Sequence, residues 1–120
     1  VQIGIITGRS SEVVRLRMEC LGIEQVYQGK RDKLPAYEEL KRATGLLDAQ
    51  IAYVGDDVVD LPVMTRAGLS IAVQDAHYLT KQHAHWVTPS GGGQGAAREV
   101  CELIMDAQGT LQGALQGYLD

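Results

Sequence analysis

The sequence has no apolar run that approaches the roughly 20 residues needed for a membrane-spanning helix. It also lacks an excess of basic residues, because 11 lysines and arginines stand against 15 aspartates and glutamates, with a net charge of −4. Nucleic-acid surfaces carry clustered Lys and Arg, so this balance argues against a nucleic-acid partner. Cysteine is scarce, with only Cys20 and Cys101. Their distant positions in helix-like segments predict reduced, half-buried thiols in a cytoplasmic protein.

The residues that are present suit one modest α/β domain, which we assign to residues 1–120. Apolar residues make up 45% of the sequence, enough for a real core. Predicted strands cover residues 2–6, 26–27, 51–54, 69–73 and 86–87. The first predicted helix follows a cap at Ser10 or Ser11 and stops at Gly22, and the second follows Asp32 and runs through Arg42. Further helices are predicted at residues 61–67 and 96–107, with a helical turn at 77–82, and the tail after Gly109 is weakly helical at best. Strands that alternate with helices in this way indicate βαβ units and a Rossmann-like parallel sheet with flanking helices.

Polar residues follow the predicted strands at the points where the strands end. Thr7 ends the first strand, and Lys33 lies just beyond the second. Asp56 and Asp57 end the third strand, and Asp60 follows one turn later. Ligands of open parallel sheets bind beyond the carboxyl ends of the strands. A hydroxyl, an ammonium group and several carboxylates at one such edge indicate a phosphate site with a hard cation such as Mg²⁺.

Each of these residues also has an ordinary structural interpretation. Thr7 alone is typical of a helix cap, and Lys33 alone is typical of a solvated charge. A Gly-Asp-Asp sequence at a strand end is compatible with a turn followed by a cap. Adjacent carboxylates with a third one turn away repel one another unless a cation lies among them. The combination, in this order and at one sheet edge, favours the functional interpretation.

Three segments resemble motifs of the haloacid dehalogenase superfamily of phosphatases. Residues 5–11, IITGRSS, resemble its second motif; residues 28–33, QGKRDK, resemble the third; and residues 54–64, VGDDVVDLPVM, resemble the fourth. The particular residues of these three segments are similar to those of the capless branch that dephosphorylates 3-deoxy-D-manno-octulosonate 8-phosphate, a precursor in lipopolysaccharide synthesis. That branch also carries a segment like residues 91–101, GGGQGAAREVC.

The resemblance implies a role for each matching residue. Thr7 and Gly8 would bind the phosphoryl group through the hydroxyl and the backbone amide, and Lys33 would bridge the phosphate and the nucleophile. Asp56 would be a direct Mg²⁺ ligand. Asp57 and Asp60 would not bind the metal directly but would orient metal-bound water and Lys33. Arg9 would bind the substrate carboxylate, since Arg offers a planar bidentate fork; a surface charge beside a helix start is the competing interpretation.

The first motif of the superfamily, an Asp-x-Asp pair on a strand that supplies the nucleophile, has no match in the sequence. The first aspartate is Asp32, and it does not follow a strand with that pattern. The resemblance places the missing strand upstream and at the centre of the sheet, between the strands that end at Thr7 and at Asp56. We therefore expect a Mg²⁺-dependent phosphatase whose nucleophile lies outside this sequence, and a chain that does not fold alone.

Other functions remain open at this stage. One is a catalytically silent oligomerisation domain of a sugar-nucleotide synthetase, although such a domain has no reason to keep Thr7, Lys33 and Asp56. A receiver-type signalling domain uses similar residues, but there the acidic pair precedes Thr and Lys. A third is a phosphatase for another sugar phosphate. The sequence has no inserted cap, so the resemblance predicts a homotetramer in which neighbouring subunits cover the site near Arg98.

Overall fold

The computed structural model describes residues 1–119. Its strands are β1 (Gly4–Ile6), β2 (Gln25–Tyr27), β3 (Ala52–Gly55), β4 (Leu69–Ala72) and β5 (Trp86–Val87). Its helices are α1 (Glu12–Cys20), α2 (Lys33–Thr44), α3 (Leu61–Met64), α4 (Tyr78–Gln82), α5 (Ala96–Ala107) and α6 (Leu111–Gln116). Short 3₁₀ turns at Asp48–Gln50 and Val58–Asp60 precede β3 and α3. The predicted α/β alternation with parallel strands and flanking helices is confirmed.

The five strands form two separate parallel sheets among residues 1–119. β1 pairs with β2, with Ile6 opposite Tyr27 at their carboxyl ends. The second sheet has the order β3-β4-β5, and Gly55 lies opposite Ala72 in it. β1 and β3 each therefore keep one unpaired edge. The family resemblance predicts a further strand between these two edges.

Helix α2 connects the two sheets. Near its middle, the buried Tyr37 donates a hydrogen bond of 2.6 Å to Asp48 Oδ1, just before β3. Lys41 Nζ lies 2.9 Å from the same oxygen. The helix ends at Gly45, whose φ of 70° needs a residue without a side chain. Lys33 is the first residue of α2, at the end of the helix away from Gly45.

The hydrophobic core lies around β4 and the helices that pack on it. Its buried apolar side chains are Ala36, Tyr37, Val63, Met64, Ala67, Ile71, Ala72, Val73, Ala96 and Val100. Helix α1, in contrast, contains no buried residue, and its Val13 is 76% exposed. The core therefore supports the β3 side of the molecule far better than the β1 side.

The structure corrects two predictions. Cys20 and Cys101 are both exposed, and the prediction of half-buried thiols is wrong. Cys20 lies on α1, which buries no residue, and Cys101 lies on a face of α5 away from its buried residues Ala96 and Val100; helical spacing alone did not reveal either environment. The tail is more helical than expected, since α6 covers six residues, but none of them is buried.

Candidate active site

The residues singled out in the sequence lie at the carboxyl ends of three strands. Thr7 follows β1, and Lys33 begins α2 after the β2 loop. Asp56 and Asp57 follow β3 directly, and Asp60 ends the 3₁₀ turn after them. The structure brings Lys33 and Asp60 into contact, with 2.6 Å between Nζ and Oδ1. These two residues are 27 positions apart, so the contact depends on how α2 packs beside β3.

Gly55 permits the tight turn that brings Asp60 back against the end of β3. A Cβ atom at Gly55 would lie 2.6 Å from Asp60 Cβ and 2.9 Å from Met64 Sδ. These atoms are too close for any other residue without movement of the backbone. Asp57 begins the 3₁₀ turn, and its Oδ1 accepts a 2.7 Å hydrogen bond from the Val58 amide. The Gly-Asp-Asp segment therefore does cap a turn, as its ordinary interpretation requires.

The carboxylate of Asp60 is the centre of the hydrogen-bond network and is only 1% exposed. Its Oδ1 accepts from Lys33 Nζ and from the Tyr53 hydroxyl, each at 2.6 Å. Its Oδ2 accepts from the backbone amides of Asp56 and Asp57, at 2.9 and 3.1 Å. All four partners of this carboxylate are donors. The group is thereby held in one orientation as an anion.

These contacts set the charges in the network. Burial opposes ionisation of Asp60, but the hydrogen bonds from Lys33, Tyr53 and the Asp56 amide outweigh it and hold its pKa below the ordinary value. Burial, followed by the hydrogen bond to Asp60 and the charge of Asp60, raises the pKa of Tyr53 well above its usual range. Lys33 and Asp60 therefore form an ion pair, and Tyr53 remains a neutral donor.

Asp56 is exposed at the sheet edge, where it can meet a ligand. Partial burial of its carboxyl group raises the pKa of Asp56, and the neighbouring charge of Asp60 raises it further. A hard cation at this position would relieve that repulsion, so the oxygen donors fit Mg²⁺. Within residues 1–119, however, no three acidic, histidine or cysteine side chains are grouped to hold a metal ion. The described residues therefore present the exposed carboxylates of Asp56 and Asp57 at this turn, without a complete set of metal ligands.

A second part of the candidate site is formed by two loops that lie side by side. Residues 7–11 follow β1, and residues 28–31 follow β2. Backbone amides join them, from Lys30 to the Thr7 carbonyl and from Gly29 to the Arg9 carbonyl, both at 2.9 Å. The Ser11 amide donates to Gln28 Oε1 at 2.6 Å. These bonds give residues 7–11 a defined shape.

The side chains in this loop have different environments. Thr7 Oγ1 accepts a 3.2 Å hydrogen bond from the Arg9 amide. Gly8 and Arg9 are exposed, and Arg9 takes part in no salt bridge in the described portion of the chain. No hydrogen bond among residues 1–119 joins this loop to Lys33 or Asp56. The structure thus forms two half-sites, one at the end of each sheet.

Sequence reasoning missed two residues of these half-sites. Tyr53 lies inside β3, and the sequence indicated only a strand residue at this position. Gln28 was noted only as part of a motif. A period-two alternation was the available signal for Tyr53, because it places Tyr53 on the face opposite to Val54. No sequence signal shows that this face meets Asp60.

Comparison with known proteins places the chain in a family. A family model of haloacid dehalogenase-like hydrolases matches residues 19–100. The chain is 50% identical over 114 residues to 3-deoxy-D-manno-octulosonate 8-phosphate phosphatase of Yersinia pestis, and 46% identical to that of Escherichia coli K12. Those alignments cover 95% of this chain and 61% of each relative. The chain thus spans about three fifths of the length of these relatives.

Solved structures agree with this assignment. The crystal structure of the Yersinia pestis phosphatase has a TM-score of 0.92 over 94% of this chain and 61% of that one. The phosphatase of Moraxella catarrhalis, solved with a magnesium ion, a phosphate ion and KDO, is 39% identical with a TM-score of 0.95. The superposition covers 98% of this chain and 68% of the Moraxella catarrhalis chain. The chain therefore belongs to the haloacid dehalogenase-like hydrolases and has their α/β fold. Among residues 1–119, no helix is long and apolar enough to cross a membrane.

Proposed function

We propose that this chain is the larger part of a Mg²⁺-dependent phosphatase that hydrolyses 3-deoxy-D-manno-octulosonate 8-phosphate. The observation that carries the proposal is the network in which Asp60 holds Lys33 beside the turn of Asp56 and Asp57. An ammonium group and an available carboxylate meet there at the carboxyl edge of β3. The relatives at 46–50% identity bear the name of this activity and support the choice of substrate. We also propose that residues 1–120 form one portion of a single core domain.

The residues of this chain would bind and orient the phosphate group. The Thr7 hydroxyl and the Gly8 amide would bind phosphoryl oxygens, and the Lys33 ammonium would neutralise part of their charge. Arg9 would bind the carboxylate of the sugar acid through its planar fork. Asp56 would hold Mg²⁺, supported by Asp57 and Asp60. When bound, the cation would supply charge stabilisation for the phosphoryl oxygens.

The attacking group in this proposal would come from a further strand that pairs with β1 on one side and with β3 on the other. Both edges are unpaired in the present structure, and unpaired edges of parallel strands readily accept a further strand. An aspartate on that strand would attack phosphorus and displace the sugar alcohol, which takes up a proton. Water would then hydrolyse the phosphoaspartate to release inorganic phosphate and restore the carboxylate.

A polypeptide of residues 1–120 is therefore expected to show no turnover, whereas the full-length protein is expected to release phosphate. Release of inorganic phosphate from 3-deoxy-D-manno-octulosonate 8-phosphate with MgCl₂ is the measurement. Other sugar phosphates at the same concentration serve as specificity controls. Turnover by the 1–120 polypeptide would contradict the proposed source of the nucleophile. A full-length protein that prefers another sugar phosphate would contradict the proposed substrate.

We also propose that the protein is a homotetramer in which the carboxyl edges of the strands face a subunit boundary. Gly8 and Arg9 are exposed at this edge, and the longest β-to-α connections contain no inserted cap domain. A small sugar acid needs a cover to exclude water, and a neighbouring subunit near Arg98 would supply it. Location in the cytoplasm remains a prediction.

Light scattering of the full-length protein at micromolar concentration is expected to give four times the protomer mass. The number of subunits comes from the family resemblance. The need for an assembly follows from the open site, because a lone protomer would leave the bound sugar acid in water. Activity measured over the same dilution range provides the control, since it should fall as the assembly dissociates. A fully active monomer would overturn the tetramer and weaken the choice of substrate.

A further inference from the structure

We infer that Tyr53 is a positioning residue, which sets the orientation of the Lys33 ammonium group by sharing one oxygen of Asp60 with it. The inference rests on the proposed function, in which Lys33 binds a phosphate oxygen. Tyr53 belongs to β3 rather than to the turn that carries the acidic residues. It touches neither the bound phosphate nor the metal in this proposal, and it acts only through Asp60.

The geometry of the shared oxygen carries the inference. The Tyr53 hydroxyl and Lys33 Nζ each lie 2.6 Å from Asp60 Oδ1. The other oxygen, Oδ2, is occupied by two backbone amides. Lys33 and Tyr53 therefore share the one oxygen of Asp60 that the backbone amides do not use. The lysine side chain is 11% exposed, so few other orientations are available to it.

Loss of the hydroxyl changes this arrangement in two ways. The negative charge on Oδ1 would be neutralised by Lys33 alone, which draws the ammonium group towards Asp60. The space left beside Oδ1 would also allow the carboxylate to rotate about its remaining bonds to the backbone. Both changes turn the protons of Lys33 away from a phosphate oxygen. The tyrosine ring itself can stay in place in a phenylalanine variant.

Tyr37 provides a matched control for this change. Its hydroxyl also donates to an aspartate Oδ1 at 2.6 Å, in this case Asp48, and its side chain is buried. Asp48 lies before β3, at the edge of the sheet opposite to the proposed site. Tyr53→Phe and Tyr37→Phe therefore remove the same group and the same kind of bond. Only the first removal should affect anion binding.

The experiment measures the affinity of the full-length protein for inorganic phosphate, by titration calorimetry with MgCl₂ present. Tyr53→Phe is expected to weaken phosphate binding about tenfold, whereas Tyr37→Phe should change it less than about twofold. Thermal unfolding of both variants checks that each is folded at the temperature of the titration. The kcat for the sugar phosphate should fall with phosphate affinity in Tyr53→Phe and stay unchanged in Tyr37→Phe.

A double-mutant cycle with Lys33→Met separates positioning from general disruption. If Tyr53 acts through Lys33, Tyr53→Phe should cost about tenfold in the parent and less than about twofold in the Lys33→Met background. An equal loss in both backgrounds would overturn the inference, because the damage would then not pass through the lysine. Equal phosphate affinity of the parent, Tyr53→Phe and Tyr37→Phe would overturn it too.

The same data distinguish the inference from the proposed function. A protein that binds phosphate with the expected coupling but does not hydrolyse the octulosonate phosphate would support the role of Tyr53 and contradict the substrate. A protein that hydrolyses this substrate but shows no coupling would support the function and overturn the role of Tyr53. Absence of any phosphate binding by the parent protein would overturn both.

Discussion

Replacement of Asp60 by asparagine in the full-length protein is expected to lower the free energy of unfolding by about 3–5 kcal/mol. Every group that faces this buried carboxylate is a donor: Lys33, Tyr53 and two backbone amides. An asparagine side chain must turn its NH₂ group towards one pair of these donors. It also leaves the charge of Lys33 without a counterion, in a position that is mostly screened from water.

Urea unfolding followed by circular dichroism measures this loss. Asp75→Asn is the matched control, because Asp75 is exposed and accepts a hydrogen bond from the Gly92 amide at 2.7 Å. Its free energy of unfolding should change by less than about 1 kcal/mol. An Asp60→Asn protein as stable as the Asp75→Asn protein would contradict the structural role given to the buried carboxylate.

Acid should act on the same network. The pKa of Asp60 is held below its ordinary value of 3.8, so the folded state binds this proton less readily than the unfolded state. Its stabilising contribution is fully present above that value and is lost as the pH falls through the lower, folded-state pKa. The free energy of unfolding should therefore drop below about pH 4 in the parent protein and depend less on pH in Asp60→Asn.

Replacement of Asp56 by alanine in the full-length protein is expected to abolish Mg²⁺-dependent phosphatase activity. Asp56 is exposed at the turn, and its pKa is already raised by partial burial and by the charge of Asp60. Without it, the turn loses the carboxylate that is proposed to bind the hard cation directly, and Asp57, which caps the turn, would not replace it. Asp57→Asn should reduce activity by about 10–100-fold and leave a measurable rate, because Asp57 would only support the metal site.

Initial rates across a range of MgCl₂ concentrations measure both effects. Asp75→Asn again serves as the control and should keep the rate and the metal response of the parent. Asp57 also caps the 3₁₀ turn through Val58, so thermal unfolding must accompany its kinetics. Normal activity and normal metal response in both the Asp56 and Asp57 variants would contradict the assignment of this turn as the metal site.

Much of the architecture follows from local features of the sequence. Short apolar runs bounded by Gly and polar residues predict the strands, and the structure has five strands at those places, including β5 at its predicted bounds. The motif residues 54–64 predict a strand followed by a tight acidic turn, and Gly55 and Asp57 form that turn. The predicted end of α3 is wrong, since the helix stops at Met64 whereas the pattern of apolar residues continues to Ala67.

The sequence by itself determined the order of the strands and helices and placed Thr7, Lys33 and the aspartates at strand ends, because strand periodicity and turn residues act over a few neighbours. Tertiary structure alone decided that Asp60 turns inward to Lys33 and Tyr53, that α2 connects the two sheets, and that both cysteines face water. Those features depend on packing between segments many residues apart. A local sequence pattern indicates which residues can be buried. Their contacts and charge states depend on the side chains that distant segments bring next to them.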